Sequence, residues 1–332
     1  MTAVDLHTHF LPRFFVDEAG AGEVFGVRVE DGLVIHPQGF RYPVHPTFVD
    51  VEAKLAEMDA AGIDVSVLSS APTLFFYDAP AAEAVGFARR SNDALAEMAG
   101  ASPRLAGLAT LPLQDPEGAA AELERAVAEL GLHGAHIGTN CGTVPLDDPS
   151  MAPVLAAAER LDVPLMLHPY YVGPKPGLED YYLVNSMGNP LDTSVAAVRL
   201  ISSGTLDRFP TLRVALVHAG GFLPYQVGRF DHAFDVRPEA RVAIDRPPSS
   251  YLDRFWMDTI THSDEALQFL AERIRPDRLY IGTDQPFDMA DVAPVERLCR
   301  VGVDVDATGG AAAALLNIDL EARTAALETG GA

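Results

Sequence analysis

Four short runs place histidine or aspartate where a metal ion or a proton could be handled. They are Asp5-Leu6-His7-Thr8-His9, Leu167-His168-Pro169, Val217-His218-Ala219-Gly220-Gly221 and Gly282-Thr283-Asp284-Gln285-Pro286-Phe287. On a β-strand, residues two apart point to the same face, and their Cα atoms lie about 6–7 Å apart. At that spacing the imidazoles of His7 and His9 can close on one cation with bonds of about 2.0–2.1 Å. Alone, the pair reads more simply as two satisfied polar side chains on a strand. His168 and Asp284 shift the balance, because three imidazoles and a carboxylate suit Zn²⁺ or another divalent first-row ion. His218 would crowd that site as a further ligand. Left free, its imidazole can take or give a proton near pH 7.

These residues are far apart in the chain, so the fold must bring them together. Strands are expected at Ala3–His9, Val65–Ser70, Leu105–Pro112, Gly134–Asn140, Val163–Pro169, Arg213–Ala219, Phe255–Ile260 and Leu279–Thr283, with amphipathic helical runs between them. Runs such as Leu165-Met166-Leu167 are apolar at successive positions, as strands buried on both faces of a parallel sheet must be. Eight strands alternating with helices predict a (β/α)8 TIM barrel rather than a doubly wound sheet. In such a barrel the C-terminal strand ends share one rim, where the four runs would meet. No Gly-x-Gly-x-x-Gly follows the first strand, and nucleotide binding has no support. A small insertion after the first strand, about 20–49, reads as a hairpin turning at Asp31-Gly32. A Gly-, Pro- and Tyr-rich stretch, about 170–191, reads as an active-site loop. No linker divides residues 1–332, so they read as one domain, with room for one more helix after about 305.

Composition narrows the partners. The 332 residues carry a net charge of −23, which argues against nucleic acid or an anionic membrane surface. With 48% hydrophobic residues, the chain can build a large core and wholesale disorder is excluded. No run of about 18 apolar residues suggests a membrane span. The opening residues lack the pattern of a secretory signal, so a cytoplasmic protein is expected. Cys141 and Cys299 are too few for a disulfide framework or a Cys-rich zinc module.

The strand-end set resembles the amidohydrolase superfamily, in the branch that holds 2-amino-3-carboxymuconate-6-semialdehyde decarboxylase and related non-oxidative decarboxylases. The likeness spans the His-x-His-Phe-x-Pro opening, Phe40-Arg41, the run from Glu57 to Val65, Leu111–Asp115, His218–Gly221, Gly228-Arg229, Pro247–Tyr251 and Gly-Thr-Asp-x-Pro-Phe. The resemblance implies that His7, His9, His168 and Asp284 are zinc ligands and that His218 is the catalytic acid/base. It implies that Arg41 and Arg229 hold substrate carboxylates, the latter donated across a homodimer interface. Judged without it, Arg41 sits in an insertion and Arg229 on a helix, where surface or interface roles serve as well. Binuclear barrels of this type bridge two ions with a carboxylated lysine on the fourth strand. Here that strand, His133–Asn140, has no lysine, and the chain's two lysines are Lys54 and Lys175. A single ion is therefore expected.

The implied reaction is decarboxylation of a small unsaturated or aromatic carboxylic acid. The alternative is metal-dependent hydrolysis or hydration of a lactone, an amide or an unsaturated acid. Sister decarboxylases of aromatic acids often carry Glu at the first position of His-x-His, so His7 points to the muconate-semialdehyde side. Ala219, Gln285 and Tyr170-Tyr171 depart from the family pattern around the pocket and leave the substrate open. Asp258 reads either as hydrogen-bonding beneath the site or as structural. His262 is a candidate for the rim, whereas His36, His45, His133, His136 and His232 read as ordinary loop, packing or helix residues.

Overall fold

Parallel strands close into an eight-stranded barrel in the computed structural model, which describes residues 2–170 and 175–323. In chain order the strands are β1 (Val4–Phe10), β2 (Arg28–Glu30), β3 (Leu33–Ile35), β4 (Arg41–Pro43), β5 (Val65–Ser70), β6 (Leu105–Thr110), β7 (Ala135–Gly138), β8 (Asn140–Cys141), β9 (Val144–Pro145), β10 (Pro164–His168), β11 (Arg213–Leu216), β12 (Phe255–Asp258) and β13 (Leu279–Gln285). The barrel runs β1-β5-β6-β7-β10-β11-β12-β13 and closes back on β1. Helices cover its outside, as the continuous burial of these strands requires. The expected TIM barrel is the observed fold.

Local signals explain where several helices begin. Asp50, Asp115 and Ser263 each accept a backbone N–H from the first helical turn, opening helices Val51–Ala61, Pro116–Ala128 and Asp264–Arg273. Such a cap contributes about 1 kcal/mol. The extra helix expected late in the chain is Val305–Leu316. It sets Ala312, Leu315 and Leu316 against Val4, Leu6 and Tyr280 in one apolar cluster and packs against β1 and β13.

The insertion is more than a hairpin. Helix Arg13–Ala21 leads into a three-stranded antiparallel sheet of order β2-β3-β4. Asp31 and Gly32 turn β2 into β3, and both take positive φ, as a tight hairpin of this twist needs. Part of the long loop, 171–174 with Tyr171, lies outside the described residues. The later part of the stretch is already helical from Val184, where one wide turn leads into helix Asn189–Ser202.

Strand ends differ from expectation where they matter most. β7, β11 and β12 stop at Gly138, Leu216 and Asp258, short of the expected Asn140, Ala219 and Ile260. β13 instead runs on through Asp284 to Gln285. His218 is therefore not a strand residue but opens a short 3₁₀ turn with φ +53°, followed by Ala219 at +56°. A left-handed backbone at non-glycine residues costs on the order of 1 kcal/mol each, so surrounding bonds must hold it in place.

Candidate metal centre and active site

Five side chains from β1, β10, β13 and the turn after β11 converge at the C-terminal rim. The rings of His7, His9 and His168 have centroids 5.0–5.3 Å apart. His218 stands 5.3 Å from His7 and 5.2 Å from His168. One ligand atom each from His7, His168, His218 and Asp284 falls within 4.8 Å of all the others. His9 joins from the side, its Nε2 3.0 Å from Asp284 Oδ1.

Bonds on the far side of each ring decide which nitrogen faces inward. His7 Nδ1–H donates to Asp258 Oδ2 at 2.8 Å, which leaves Nε2 as the free lone pair. His168 Nδ1–H donates to the carbonyl of Pro169 at 2.5 Å, with the same consequence. His9 Nδ1 lies 3.3 Å from Ser69 Oγ. Outer partners of this kind fix tautomer and ring orientation for metal binding. His7 Nε2, His168 Nε2 and His218 Nδ1 are buried and have no hydrogen-bond partner among the described residues. Unpaired buried nitrogens cost free energy unless something coordinates them, and a cation fits that need.

The electrostatics favour positive charge at the same place. Burial alone would push His7 down, yet the Asp284 and Asp258 carboxylates overcome it and hold its pKa at about 10. Asp284 is held well below the usual carboxylate range despite burial, by the His7 charge, by the close approach of His218 and His7 and by the hydrogen bond with His9. Burial pushes His9 down to about 4, and His168 well below its ordinary value, so both are neutral donors. The two carboxylates thus favour positive charge at this place, and a metal ion bound there would displace the proton from His7.

Asp258 settles its two readings in favour of the site. Besides orienting His7, it accepts the backbone N–H of His218 at 2.9 Å and of Ala219 at 2.6 Å. One carboxylate thus holds both the ligand ring and the left-handed turn that carries His218. Gly282 makes room for it, since a Cβ there would lie 2.9 Å from Asp258 Cβ.

Two residues were not foreseen at the site. His136 is fully buried on β7, with its ring 5.2 Å from His168, 5.6 Å from His9 and 5.0 Å from Phe75. Burial pushes its pKa well below the ordinary value. It packs against the ligand imidazoles, where a reading as general strand packing missed it. The signal was its place on the fourth strand, two residues before the rim at Gly138. Asp5 is the other: it accepts Thr283 N–H and Oγ1–H and the backbone N–H of His7. Burial raises its pKa to about 7 against those bonds.

Above the cluster the cavity has two arms that share Asn185, Asn189, His218, Asp284 and Met289. The larger, about 780 Å³, runs past Phe222, Tyr225, Ile260 and Phe269, and His262 lines it as expected for a rim residue. The smaller, about 450 Å³, lies under Phe40, Tyr170, Tyr182 and Phe287. Phe287 also packs on His9, Tyr42 and Phe48, so the insertion helps to roof the ligands. Neither arm is lined by Arg41 or Arg229, and no lysine or arginine lines either among the described residues. Arg41 is exposed on β4, one residue beyond the lining Phe40. Arg229 is exposed on helix Leu223–Val236, beside a separate groove with Leu191, Val195 and Phe222.

Residues 4–298 match the amidohydrolase family. The chain belongs to that family. It is 33% identical over 301 residues to 2-amino-3-carboxymuconate-6-semialdehyde decarboxylase of Dictyostelium discoideum, covering 88% of this chain and 83% of that one. Among solved structures it resembles 5-carboxyvanillate decarboxylase from Sphingomonas paucimobilis, with TM-score 0.82, 29% identity, and 96% and 99% of the two chains covered. It also resembles a dihydroxybenzoic acid decarboxylase from Polaromonas sp. JS666 with bound manganese and the inhibitor 2-nitroresorcinol. There the TM-score is 0.74, the identity 26%, and coverage 96% and 97%. This amidohydrolase therefore shares its whole barrel with decarboxylases.

Proposed function

We propose that this amidohydrolase is a carboxy-lyase that removes CO₂ without oxidation from a small aromatic or unsaturated carboxylic acid. One divalent ion would be held by His7, His9, His168 and Asp284. The observation that carries the reading is the convergence of these side chains, with His218, at the floor of a cavity that lacks other cations. A carboxylate entering that cavity needs a positive partner, and the cluster is where one binds. Three imidazoles and a carboxylate favour zinc, while the manganese in the Polaromonas relative makes that ion the competing assignment.

When bound, the ion draws electron density from substrate oxygens and offsets their charge. The protein supplies the proton. As the C–C bond to the carboxylate breaks and CO₂ departs, the carbon left behind gains one hydrogen. His218 would deliver it, a role supported by its ring lining the cavity, with Nε2 3.6 Å from Asp284 Oδ2. The Asp258 bonds to its own amide and the next hold the backbone that aims it. The aromatic walls fit a planar, unsaturated acid.

Two substrates probe the class, 2-amino-3-carboxymuconate-6-semialdehyde and 2,6-dihydroxybenzoate, each labelled with ¹³C in the carboxyl group. Release of ¹³CO₂ from either is the expected result, and with 2,6-dihydroxybenzoate, which has no exchangeable aldehyde oxygen, no ¹⁸O from labelled water in the organic product. Organic product carrying ¹⁸O with the labelled carboxyl retained would establish the hydrolase or hydratase reading instead.

A homodimer would supply what one chain lacks. The groove beside Arg229 exposes Leu191, Val195 and Phe222, and Phe222 also lines the larger arm. A second copy covering this face would bring the partner's Arg229 toward the substrate, with Arg41 beside Phe40 at the mouth of the smaller arm. Arginine suits the task because its planar fork binds carboxylates through paired hydrogen bonds. Mixing Arg229→Ala chains with His218→Ala chains should restore turnover that neither variant has alone, since one site of each mixed dimer is then complete. Absence of rescue in proven mixed dimers would remove the cross-subunit role. The two cysteines are free thiols and no helix of the described residues is long and apolar enough to cross a membrane; the cytoplasm is the proposed location.

A further inference from the structure

Lys54 is one of two lysines in the chain and is only 1% exposed, although it sits on an outer helix. A buried lysine needs a specific partner to offset its desolvation. Its Nζ donates to Glu57 Oε2 at 2.5 Å and to Thr8 Oγ1 at 3.1 Å. The Thr8 hydroxyl in turn donates to the backbone carbonyl of Gln285 at 3.0 Å. Donors and acceptors alternate correctly along this chain, from helix Val51–Ala61 through β1 to β13.

The tie falls at the irregular seam of the barrel. Along β1 and β13, His7 pairs with Gly282 but the next residue, Thr8, pairs with Gln285. One step on β1 thus spans three on β13, and the regular ladder is broken at that point. Side chains take over its work: Asp5 binds Thr283 within the skipped stretch, and Thr8 binds Gln285 at its end. Thr8 lies between His7 and His9, and Gln285 directly follows Asp284. The two ligands flanking the tie are those whose atoms stand 3.0 Å apart, His9 Nε2 and Asp284 Oδ1.

We infer that Lys54 and Thr8 are positioning residues for the metal centre, which hold β1 and β13 in the register that brings His9 and Asp284 to one ion. The inference rests on the proposed ligand set. Removing an outer partner of a metal ligand typically lowers metal affinity about 10–100-fold, and the same range is expected here.

The test measures the dissociation constant of Zn²⁺ by competition with a chromophoric chelator, using the full chain stripped of metal. Lys54→Met and Thr8→Val should each weaken binding about 10–100-fold, while Thr8→Ser, which keeps the hydroxyl, should bind as the parent does. Glu57, 15% exposed, has access to water once Lys54 is gone. Thr8→Val preserves shape and decides the matter if Lys54→Met does not fold. A purely structural tie would lower the melting temperature of the metal-free chain and leave the dissociation constant unchanged, and that result would overturn the inference. Should His168→Ala also keep its ion, the ligand set itself fails; should it lose the ion while Thr8→Val does not, only the tie fails.

Discussion

Replacing His218 with alanine is expected to leave the ion in place and to lower turnover by roughly 10²-fold or more. Position accounts for both effects. In the proposed ligand set His7, His9, His168 and Asp284 supply four donors without it, and its ring lines both arms of the cavity. His7, His9 and His168 are buried and His218 is partly exposed, which suits the proposed division between holding the ion and moving the proton. Equal metal content in parent and variant, together with the loss of turnover, is the expected pair of results. The geometry also admits His218 as a ligand, since it belongs to the tightest group of four. Loss of the ion from His218→Ala would assign it to coordination and make His9 the neighbour that stands by. Retained turnover would leave it without a chemical role.

His168→Ala and Asp284→Ala are expected to lose the ion, with turnover falling alongside. Each removes a proposed ligand rather than an outer partner, so the affinity should drop by more than the roughly 10–100-fold of an outer-partner loss. Asp284 should have the greater effect on charge, because its carboxylate is the largest influence that raises the His7 pKa against burial. Removing it also takes the hydrogen-bond acceptor from His9. Metal analysis after gel filtration measures both variants; stoichiometric metal in either would refute its ligation.

The barrel was legible because its signals are local and repeated. Apolar strands, the amphipathic runs between them and the Asp31-Gly32 turn each act over a few residues, and the order of strands and helices implies a closed parallel sheet. His7, His9, His168 and Asp284 were legible as a group because strand-end chemistry has one place to go in that fold. What the sequence hid depends on breaks in regularity or on contacts at long range. The altered register at Thr8 and the left-handed turn at His218 leave no periodic trace. Lys54 sits in a helical run whose charged residues ordinarily face solvent, and only the packed structure shows that its ammonium reaches Thr8. His136 looked like strand packing because its two imidazole neighbours arrive from β1 and β10. Arg41 and Arg229 stand clear of the cavity walls, so no single chain reveals what they do.

Anomalous scattering from crystals of the metal-loaded protein, recorded on both sides of the zinc and manganese absorption edges, addresses the central claim most directly. One peak per chain is expected, bounded by His7 Nε2, His9 Nε2, His168 Nε2 and an Asp284 oxygen, with His218 beside it. Two peaks in the cavity, or a fully loaded ion bound away from these atoms, would contradict it.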